Sequence, residues 1–169
     1  MSFGADGDLV FRSLEEKTSG LARIQKAGGS PERITALRVT GKLDVSPDGA
    51  WVIVHSPGVG NDAAPVMLAV PLKGGAPRKI CDDRCGPASW SLDGRFLYVH
   101  LDKTVAIPVP TGKSLPDLPA SGISSAVDAS KLAGVRVIEQ ANVFPGPNPA
   151  TYLFQRTEQQ RNLFRIPLH

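Results

Sequence analysis

The stretch Val45-Ser-Pro-Asp-Gly-Ala-Trp-Val-Ile-Val-His55 combines a tight turn with the beginning of a strand. Pro47 presets the φ angle at the first central position of a type I turn, and Asp48 can hydrogen-bond to the neighbouring backbone. Gly49 tolerates the left-handed backbone conformation that follows such a turn. Apolar residues stand two and four positions beyond the glycine, which places them on one face of a strand. The stretch therefore predicts two antiparallel strands joined by a tight turn.

The same pattern occurs three times along the chain. Phe3-Gly-Ala-Asp-Gly-Asp-Leu-Val-Phe-Arg-Ser13 and Trp90-Ser-Leu-Asp-Gly-Arg-Phe-Leu-Tyr-Val-His100 align with the first stretch without gaps. The turn glycines are 42 and 45 residues apart. A period of about 40–45 residues is characteristic of β-propeller blades. The turn motif is assigned to Asp6, Gly7, Ser46, Pro47, Asp48, Gly49, Asp93 and Gly94.

Further strand signals complete each unit. A second apolar segment follows each hairpin, at residues 20–25, 66–72, 104–109 and 162–168. The first two run into Gly-Gly turns that precede a last short strand, whereas the corresponding stretch of the third unit, residues 111–118, is degenerate. In the fourth unit Pro145-Gly-Pro-Asn-Pro149 replaces the Asp-Gly turn before Tyr152-Leu-Phe-Gln-Arg156. Each unit therefore reads as a four-stranded antiparallel meander, and only residues 127–132 could form a helical turn.

These units predict an all-β fold of about three and a half propeller blades. The blades are placed at residues 1–36, 37–83, 84–121 and 122–169, within a single propeller segment. Because propellers usually have about four to eight blades, we expect residues 1–169 to be part of a larger propeller. Exposed blade edges and faces then predict self-association.

The repeat resembles that of TolB-type, WD40-like β-propellers. Ser46-Pro47-Asp48-Gly49 and Gly28-Gly-Ser-Pro-Glu-Arg-Ile-Thr35 match its two motifs, and the likeness extends over residues 3–118. The closing residues 145–168 resemble the C-terminal end of large bacterial serine/threonine-kinase-type sensor proteins that carry such a propeller. No kinase motif occurs in this sequence, so no kinase activity is carried over. The resemblance implies a bacterial, periplasmic or otherwise extracytoplasmic location.

This resemblance implies a non-catalytic module that binds a protein or a small molecule, as the C-terminal sensor or interaction part of a larger envelope or signalling protein. The ligand is expected at the mouth of the channel, near residues 56–65, 81–87 and 121–125. An alternative is the propeller gate of a serine peptidase of the prolyl oligopeptidase type, with the catalytic domain outside this chain. A scaffold that binds a protein at the channel mouth, as TolB-type propellers do, is a third hypothesis.

Four residues outside the turns are candidates for special roles. Cys81 and Cys85 could form a local disulfide or could remain two reduced thiols, and no further cysteine or nearby histidine completes a metal site with them. His55 and His100 occupy equivalent positions of successive units. They could form a ligand-facing pair, or they could be solvent-facing ends of strands.

Several functional classes are excluded by the sequence. The net charge is only +3 at pH 7 and the basic residues are scattered singly, so no nucleic-acid partner is predicted. No apolar run is long enough to span a membrane. Residues 58–63 match a dinucleotide-binding pattern but lead into a strand instead of a helix, so no cofactor is expected. No nucleophile or metal-hydrolase motif predicts an enzyme.

Overall fold

The computed structural model describes residues 1–15, 18–57, 64–146 and 150–154. In it, three four-stranded antiparallel sheets and one two-stranded sheet follow one another along the chain. The first sheet contains β1 (Ser2–Phe3), β2 (Leu9–Glu15), β3 (Thr18–Ile24) and β4 (Glu32–Thr35). The second contains β5 (Thr40–Val45), β6 (Trp51–Ser56), β7 (Val66–Pro71) and β8 (Arg78–Cys81). The third contains β9 (Ala88–Trp90), β10 (Phe96–His100), β11 (Thr104–Pro108) and β12 (Arg136–Ile138). The fourth pairs β13 (Val143–Pro145) with β14 (Tyr152–Phe154).

Each four-stranded sheet is a meander in which consecutive strands are hydrogen-bonded neighbours. The prediction of an all-β fold built from four-stranded antiparallel units is therefore confirmed. One short helix, α1 (Ala126–Ser130), lies where the sequence allowed a single helical turn. The strand predicted at residues 162–168 lies outside the described residues.

The turn between β5 and β6 shows why serine and aspartate stand beside the glycine. The Gly49 N–H donates to the Ser46 carbonyl at 2.8 Å, and Gly49 has a φ of +69°. The Ser46 hydroxyl donates to Asp48 Oδ1 at 2.5 Å and accepts a hydrogen bond from the Trp51 N–H at 3.0 Å. The Ser46 and Asp48 side chains form hydrogen bonds with each other and with the backbone of the turn, and these hydrogen bonds stabilise the turn.

The turn between β9 and β10 has the same geometry. The Ser91 hydroxyl donates to Asp93 Oδ1 at 2.6 Å and accepts from the Phe96 N–H at 2.9 Å. In the first sheet Gly4 replaces the serine, and the turn is held by backbone hydrogen bonds: the Gly7 N–H donates to the Gly4 carbonyl at 3.0 Å and the Gly4 N–H donates to the Asp8 carbonyl at 2.8 Å.

The two middle sheets bury apolar side chains on both faces. In β6, Val52 and Val54 pack with Val10 and Leu21 of the first sheet. Ile53, which points to the opposite face, belongs to the core shared with the third sheet. Because successive residues of a strand point to opposite faces, β6 contributes to two separate cores.

The same alternation occurs in β10. Leu97 and Val99 pack into the core between the second and third sheets, and Tyr98 packs with Val143 of the fourth sheet. All three β10 side chains are fully buried. The described sheets therefore form a series of blades packed face to face, as in a propeller.

The first strands of successive blades lie side by side. Strand β1 contacts β5, β5 contacts β9, and β9 contacts β13. The Ser2 hydroxyl accepts a hydrogen bond from the Val45 N–H at 3.3 Å, and Asp44 Oδ2 accepts one from the Trp90 N–H at 2.9 Å. Both acceptors occupy the position five residues before the turn glycine. The same position of the repeat thus joins the first blade to the second and the second to the third.

The third blade ends further along the chain than the sequence repeat suggested. Its last strand is β12, paired with β11, so the blade extends to Ile138 and the boundary at residue 121 is wrong. Residues 111–118 do not form the last strand of this blade. Instead, residues 109–135 leave the sheet, and they bury Leu115 and Ile123 in the core between the second and third sheets. The repeat could not reveal this excursion, because Leu115 and Ile123 pack in the core shared with the preceding blade.

This excursion is fastened to the edge of the second sheet. The Ile123 N–H donates to the Ile80 carbonyl at 2.9 Å, and Ile123 forms an isolated parallel bridge with Cys81. At the neighbouring Gly122, with a φ of +73°, a Cβ atom would lie 2.8 Å from the Ile80 carbonyl oxygen. Only glycine fits this close approach without displacing the backbone.

The outer faces of the first and last sheets have no neighbouring sheet among the described residues. Phe3 of β1 is 70% exposed, and Phe144 and Leu153, which pair across β13 and β14, are 50% and 70% exposed. Exposed large apolar side chains on a sheet face indicate a surface that another element can cover.

Substitutions of Asp44 test the hydrogen bond that joins the second blade to the third. Burial raises the pKa of Asp44, although the Trp90 N–H and Lys42 oppose the shift. Because its folded pKa is above the unfolded value, the ionised carboxylate destabilises the fold once the pH exceeds the raised pKa. We expect Asp44→Asn, which keeps an acceptor and removes the charge, to raise the free energy of unfolding at pH 7.

Asp44→Ala should instead lower that free energy by about 1 kcal/mol, because the Trp90 N–H loses its acceptor. Urea denaturation of both variants measures the difference, with Asp83→Ala in an exposed loop as the control. Equal losses in the Asn and Ala variants would contradict the role given to this hydrogen bond.

Candidate functional site

The blades have two distinct ends. The turn end carries the connections between the first and second strands, at residues 4–8, 46–50 and 91–95. The loop end carries the connections between blades, at residues 36–39, 82–87 and 139–142. Of the segments expected to face a ligand, 81–87 lies at the loop end and 121–125 reaches it through Ile123. Most of the third segment, residues 58–63, lies outside the described residues.

A disulfide closes the loop that follows β8. Cys81 and Cys85 are bonded in the structure, with Cα atoms 6.2 Å apart, and both are buried. Within the closed loop the Cys85 N–H donates to the Asp82 carbonyl at 3.4 Å. Asp83 and Arg84 remain exposed. Of the two alternatives for the cysteines, the structure therefore has the disulfide, and it presents two charged side chains at the loop end.

The two histidines differ in their surroundings. His100 is 5% exposed, and its Nε2 lies 2.9 Å from the Val143 carbonyl, to which an N–H at that position donates. It therefore joins the third sheet to the fourth, and neither the ligand-facing nor the solvent-facing prediction holds for it. His55 is half-buried opposite Thr40 and Met67. Its role as a ligand-facing residue stays a prediction.

Burial affects both histidines in the same direction. The pKa of His55 is lowered by burial, which disfavours the charged imidazolium. Burial likewise lowers the pKa of His100, and the positive charge of Lys42 adds to this effect, against the hydrogen bond to Val143. His100 is therefore neutral at neutral pH and acts as a hydrogen-bond donor inside the fold.

No metal site is formed within the part of the chain that the structure describes: no three histidine, cysteine, aspartate or glutamate side chains come together there. Among the same residues, no helix is both long and apolar enough to cross a membrane.

Two adjoining cavities lie at the turn end, the smaller between the second and third blades and the larger along the third blade alone. The smaller, of about 160 Å³, lies between the two turns and is lined by residues 46–48, Trp90, 93–94 and 113–114. The larger, of about 500 Å³, is lined by residues 93–96 and 108–113. They share Asp93, Gly94 and Lys113. We call them together the seam cavity.

The seam cavity has charged groups of both signs on its walls. Burial acts to raise the pKa of Asp48, but hydrogen bonds from Ser114, Ser46 and the Ala50 N–H outweigh it and lower that pKa. The pKa of Asp93 is lowered, chiefly by the Ser91 hydroxyl. Both carboxylates are therefore ionised at neutral pH.

The Lys113 ammonium has a hydrogen-bond partner, whereas the Trp90 indole N–H has none among the described residues. Lys113 Nζ contacts both carboxylate oxygens of Asp117, at 2.7 and 2.8 Å. The Trp90 side chain is 7% exposed, and its Nε1 is buried without a hydrogen-bond partner among the described residues. The segment that completes this cavity belongs to the excursion after β11, which the sequence repeat did not indicate.

Comparison with known proteins shows the fold. No family model matches the chain, and no curated protein matches it. Among solved structures, the chain resembles TolB from Acinetobacter baumannii, with 15% identity and a TM-score of 0.52, over 89% of this chain and 38% of that one. It also resembles a structure assigned as TolB from Agrobacterium tumefaciens, with 16% identity and a TM-score of 0.52, over 81% and 56% of the two chains.

These likenesses confirm the TolB-type β-propeller fold predicted from the repeat. The chain spans less than two thirds of the length of either solved structure. At this level of identity the comparison carries the fold and no activity.

The buried His100 makes stability depend on pH. Since its folded pKa is below the usual value of 6.5, its contribution is present above pH 6.5 and is lost as the pH falls through the lowered pKa. We expect His100→Gln to lose less stability than the unmodified chain between about pH 7 and pH 5, because glutamine can still donate to Val143 but does not titrate. Urea denaturation at several pH values measures this.

His55→Gln is the matched comparison, since the pKa of His55 is lowered by burial alone. If the His100→Gln variant and the unmodified chain lose the same free energy of unfolding over this range, His100 is not the buried neutral donor described above.

Proposed function

We propose that this chain is a non-catalytic β-propeller module that binds a protein or small-molecule ligand at its loop end. In this proposal residues 1–169 form one propeller segment, the C-terminal sensor or interaction part of a larger bacterial envelope or signalling protein. The observation that carries the proposal is the disulfide-closed loop after β8, which holds exposed Asp83 and Arg84 beside the start of the third blade. Binding residues are commonly presented in this way, on loops fixed by a rigid scaffold.

The hydrogen bonds made by the ionisable residues support a non-catalytic role. Asp48 and Asp93 hold turns, Asp44 accepts a hydrogen bond between blades, and His100 joins two sheets. Each of these groups has a structural task. The alternative of a peptidase gate requires a catalytic domain outside this chain, and no feature of the described residues favours it over a sensor.

The disulfide also supports an extracytoplasmic location. Disulfides form and persist in oxidising compartments such as the bacterial periplasm, and they are rare in reducing ones. The Cys81–Cys85 bond lies in the core between the second and third sheets, next to the strand edge that holds Ile123. A periplasmic environment would maintain this arrangement.

The uncovered faces of the first and last sheets support a larger assembly. Phe3 on one side, and Phe144 and Leu153 on the other, expose apolar surface of the kind that the middle sheets bury against their neighbours. Further blades would cover these faces, either from the same polypeptide or from a second copy that associates with it. The share of the TolB structures that this chain spans agrees with a propeller that needs more blades.

Site-specific photo-crosslinking tests the assignment of the loop end. We expect p-benzoylphenylalanine at Asp83, in the disulfide-closed loop, to give a discrete cross-linked product in the source cells. The same group at Lys73, exposed after β7 near the turn end, serves as the matched control and should give no such product. Immunoblotting of the cross-linked species, followed by mass spectrometry, measures both.

The closed shape of the loop provides a second comparison. Replacing both cysteines, with Cys81→Ala and Cys85→Ala, should reduce the product formed at position 83 because the loop is no longer constrained. An identical product from position 73, or no product from position 83, would contradict binding at the loop end.

A further inference from the structure

Three Asp-Gly pairs stand in the turns between the first and second strands of the blades. They are Asp6-Gly7, Asp48-Gly49 and Asp93-Gly94, and the sequence contains no Asn-Gly pair. An aspartate followed by glycine is prone to isoaspartate formation, because a residue without a side chain leaves its backbone nitrogen open to the neighbouring carboxyl group. The three pairs are therefore candidate modification sites, and the turns around them determine which one reacts.

Isoaspartate formation requires no reagent other than water. The glycine backbone nitrogen attacks Cγ of the aspartic acid, the new C–N bond closes a succinimide ring, and the carboxyl hydroxyl leaves as water with the amide proton. Water then opens the ring. Opening at Cγ restores aspartate, and opening at the main-chain carbonyl leaves isoaspartate, in which the main chain runs through Cβ and Cγ. Because a carboxylate has no hydroxyl to lose, the reacting form is the protonated acid.

The nucleophiles of the three pairs are held alike. Each glycine has a positive φ, of +82° at Gly7, +69° at Gly49 and +70° at Gly94. Each of their N–H groups donates to the carbonyl of the residue three positions earlier, at 2.8–3.0 Å. The three glycines are half-buried and the aspartates before them are exposed, so water reaches every pair. Differences in reactivity must therefore come from the carboxyl groups.

The carboxyl groups of the second and third turns each accept two hydrogen bonds. Asp48 Oδ1 accepts from the Ser46 hydroxyl at 2.5 Å, and Asp93 Oδ1 accepts from the Ser91 hydroxyl at 2.6 Å. Each oxygen also accepts from the N–H two residues further along the chain, at 3.1 Å. The pKa of both carboxyl groups is lowered, so the reactive acid form is scarce. The hydrogen bonds also oppose the rotation that would bring Cγ onto the glycine nitrogen.

The carboxyl group of Asp6 is not held in this way. Gly4 stands where the other two turns have serine, so the first turn has no hydroxyl at this position. Among the described residues, the Asp6 side chain has neither a hydrogen bond nor an ion pair. Its Cγ can therefore turn towards the Gly7 nitrogen without breaking a hydrogen bond to the turn.

We infer that Asp6-Gly7 is a site of spontaneous isoaspartate formation, and that the serine–aspartate hydrogen bond protects the other two pairs. Isoaspartate adds one carbon to the main chain between β1 and β2. In the same turn Ala5 faces the second blade, where a Cβ atom at Gly49 would lie 3.3 Å from that of Ala5. The modification therefore alters the contact between the first two blades at the turn end, away from the loop end proposed to bind a ligand.

Peptide mapping of the aged chain tests the inference. The folded chain is kept for weeks at neutral pH and digested with trypsin, which places the three aspartates on separate peptides, residues 1–12, 43–73 and 85–95. Liquid chromatography with electron-transfer mass spectrometry identifies the isoaspartyl forms. We expect isoaspartate to accumulate at position 6 about tenfold faster than at 48 or 93, the factor that one hydrogen bond to a charged group supplies. Equal rates, or a faster rate at another position, would overturn the inference.

The same chain in concentrated urea is the reference for the effect of neighbouring residues. Unfolding removes the hydrogen bonds of the turns, so the three pairs should form isoaspartate at similar rates there. If the preference for position 6 is unchanged in urea, it belongs to the local sequence, and the protection assigned to the serines is wrong.

Two substitutions exchange the protection between turns. Gly4→Ser supplies the missing hydroxyl, and position 4 has no positive φ and leaves a Cβ atom 3.6 Å from its nearest neighbour. It should slow isoaspartate formation at Asp6 about tenfold. Ser46→Ala should accelerate the reaction at Asp48 and leave Asp93 unchanged. If the rate at Asp6 is the same in the Gly4→Ser variant, the hydroxyl does not protect the pair, whether or not the Ser46→Ala variant folds.

Discussion

Burial on both faces is the constraint on which this structure depends. A strand places successive side chains on opposite sides, and in β6 and β10 both sides are apolar. Neither face can be left in water without losing the hydrophobic stabilisation of its side chains, so each middle sheet requires a sheet on either side. This requirement places the turns of successive blades in contact. A Cβ atom at Gly49 would lie 3.3 Å from that of Ala5, and one at Gly94 would lie 3.6 Å from Cγ of Pro47.

Hydrogen bonds between the first strands of successive blades set the register of the blades. Phe3, Val45, Trp90 and Pro145 occupy equivalent positions, each paired with the first residues of the following strand. The N–H groups of Val45 and Trp90 donate to the preceding blade, whereas Pro145 has no N–H to donate. The third and fourth sheets are joined differently, by His100 Nε2 to the Val143 carbonyl and by the Val143 N–H to Thr104 Oγ1. His100 is thus buried at the contact between the third and fourth sheets.

A feature could be predicted from the sequence when the residues that form it lie close together along the chain. The Ser-Pro-Asp-Gly turn and the strands beside it depend on hydrogen bonds between residues two to five positions apart, and they were predicted correctly. The excursion at residues 109–135 and the buried His100 depend on contacts with a neighbouring blade, so the repeat contained no sign of them. The position of β12 follows from the excursion, which separates it in sequence from its partner β11. The smaller part of the seam cavity is of the same kind, since it is formed only when the second-blade residues 46–48 pack beside Trp90 of the third blade. The cysteine pair was ambiguous in sequence because spacing alone does not fix the Cα separation, which the strand end and its loop set at 6.2 Å.

Native-state hydrogen exchange is the most direct test of two-sided burial, applied to the backbone amides of the second strands of the three four-stranded sheets. The strands β2, β6 and β10 are comparable because each has a hydrogen-bonded strand on both sides. Among the residues that the structure describes, apolar neighbours cover both faces of β6 and β10 but only one face of β2. If two-sided burial holds the blades together, amides of β6 and β10 should exchange only through global unfolding, and those of β2 should exchange faster through a smaller opening. Equal protection in all three strands, or greater protection in β2, would contradict the account.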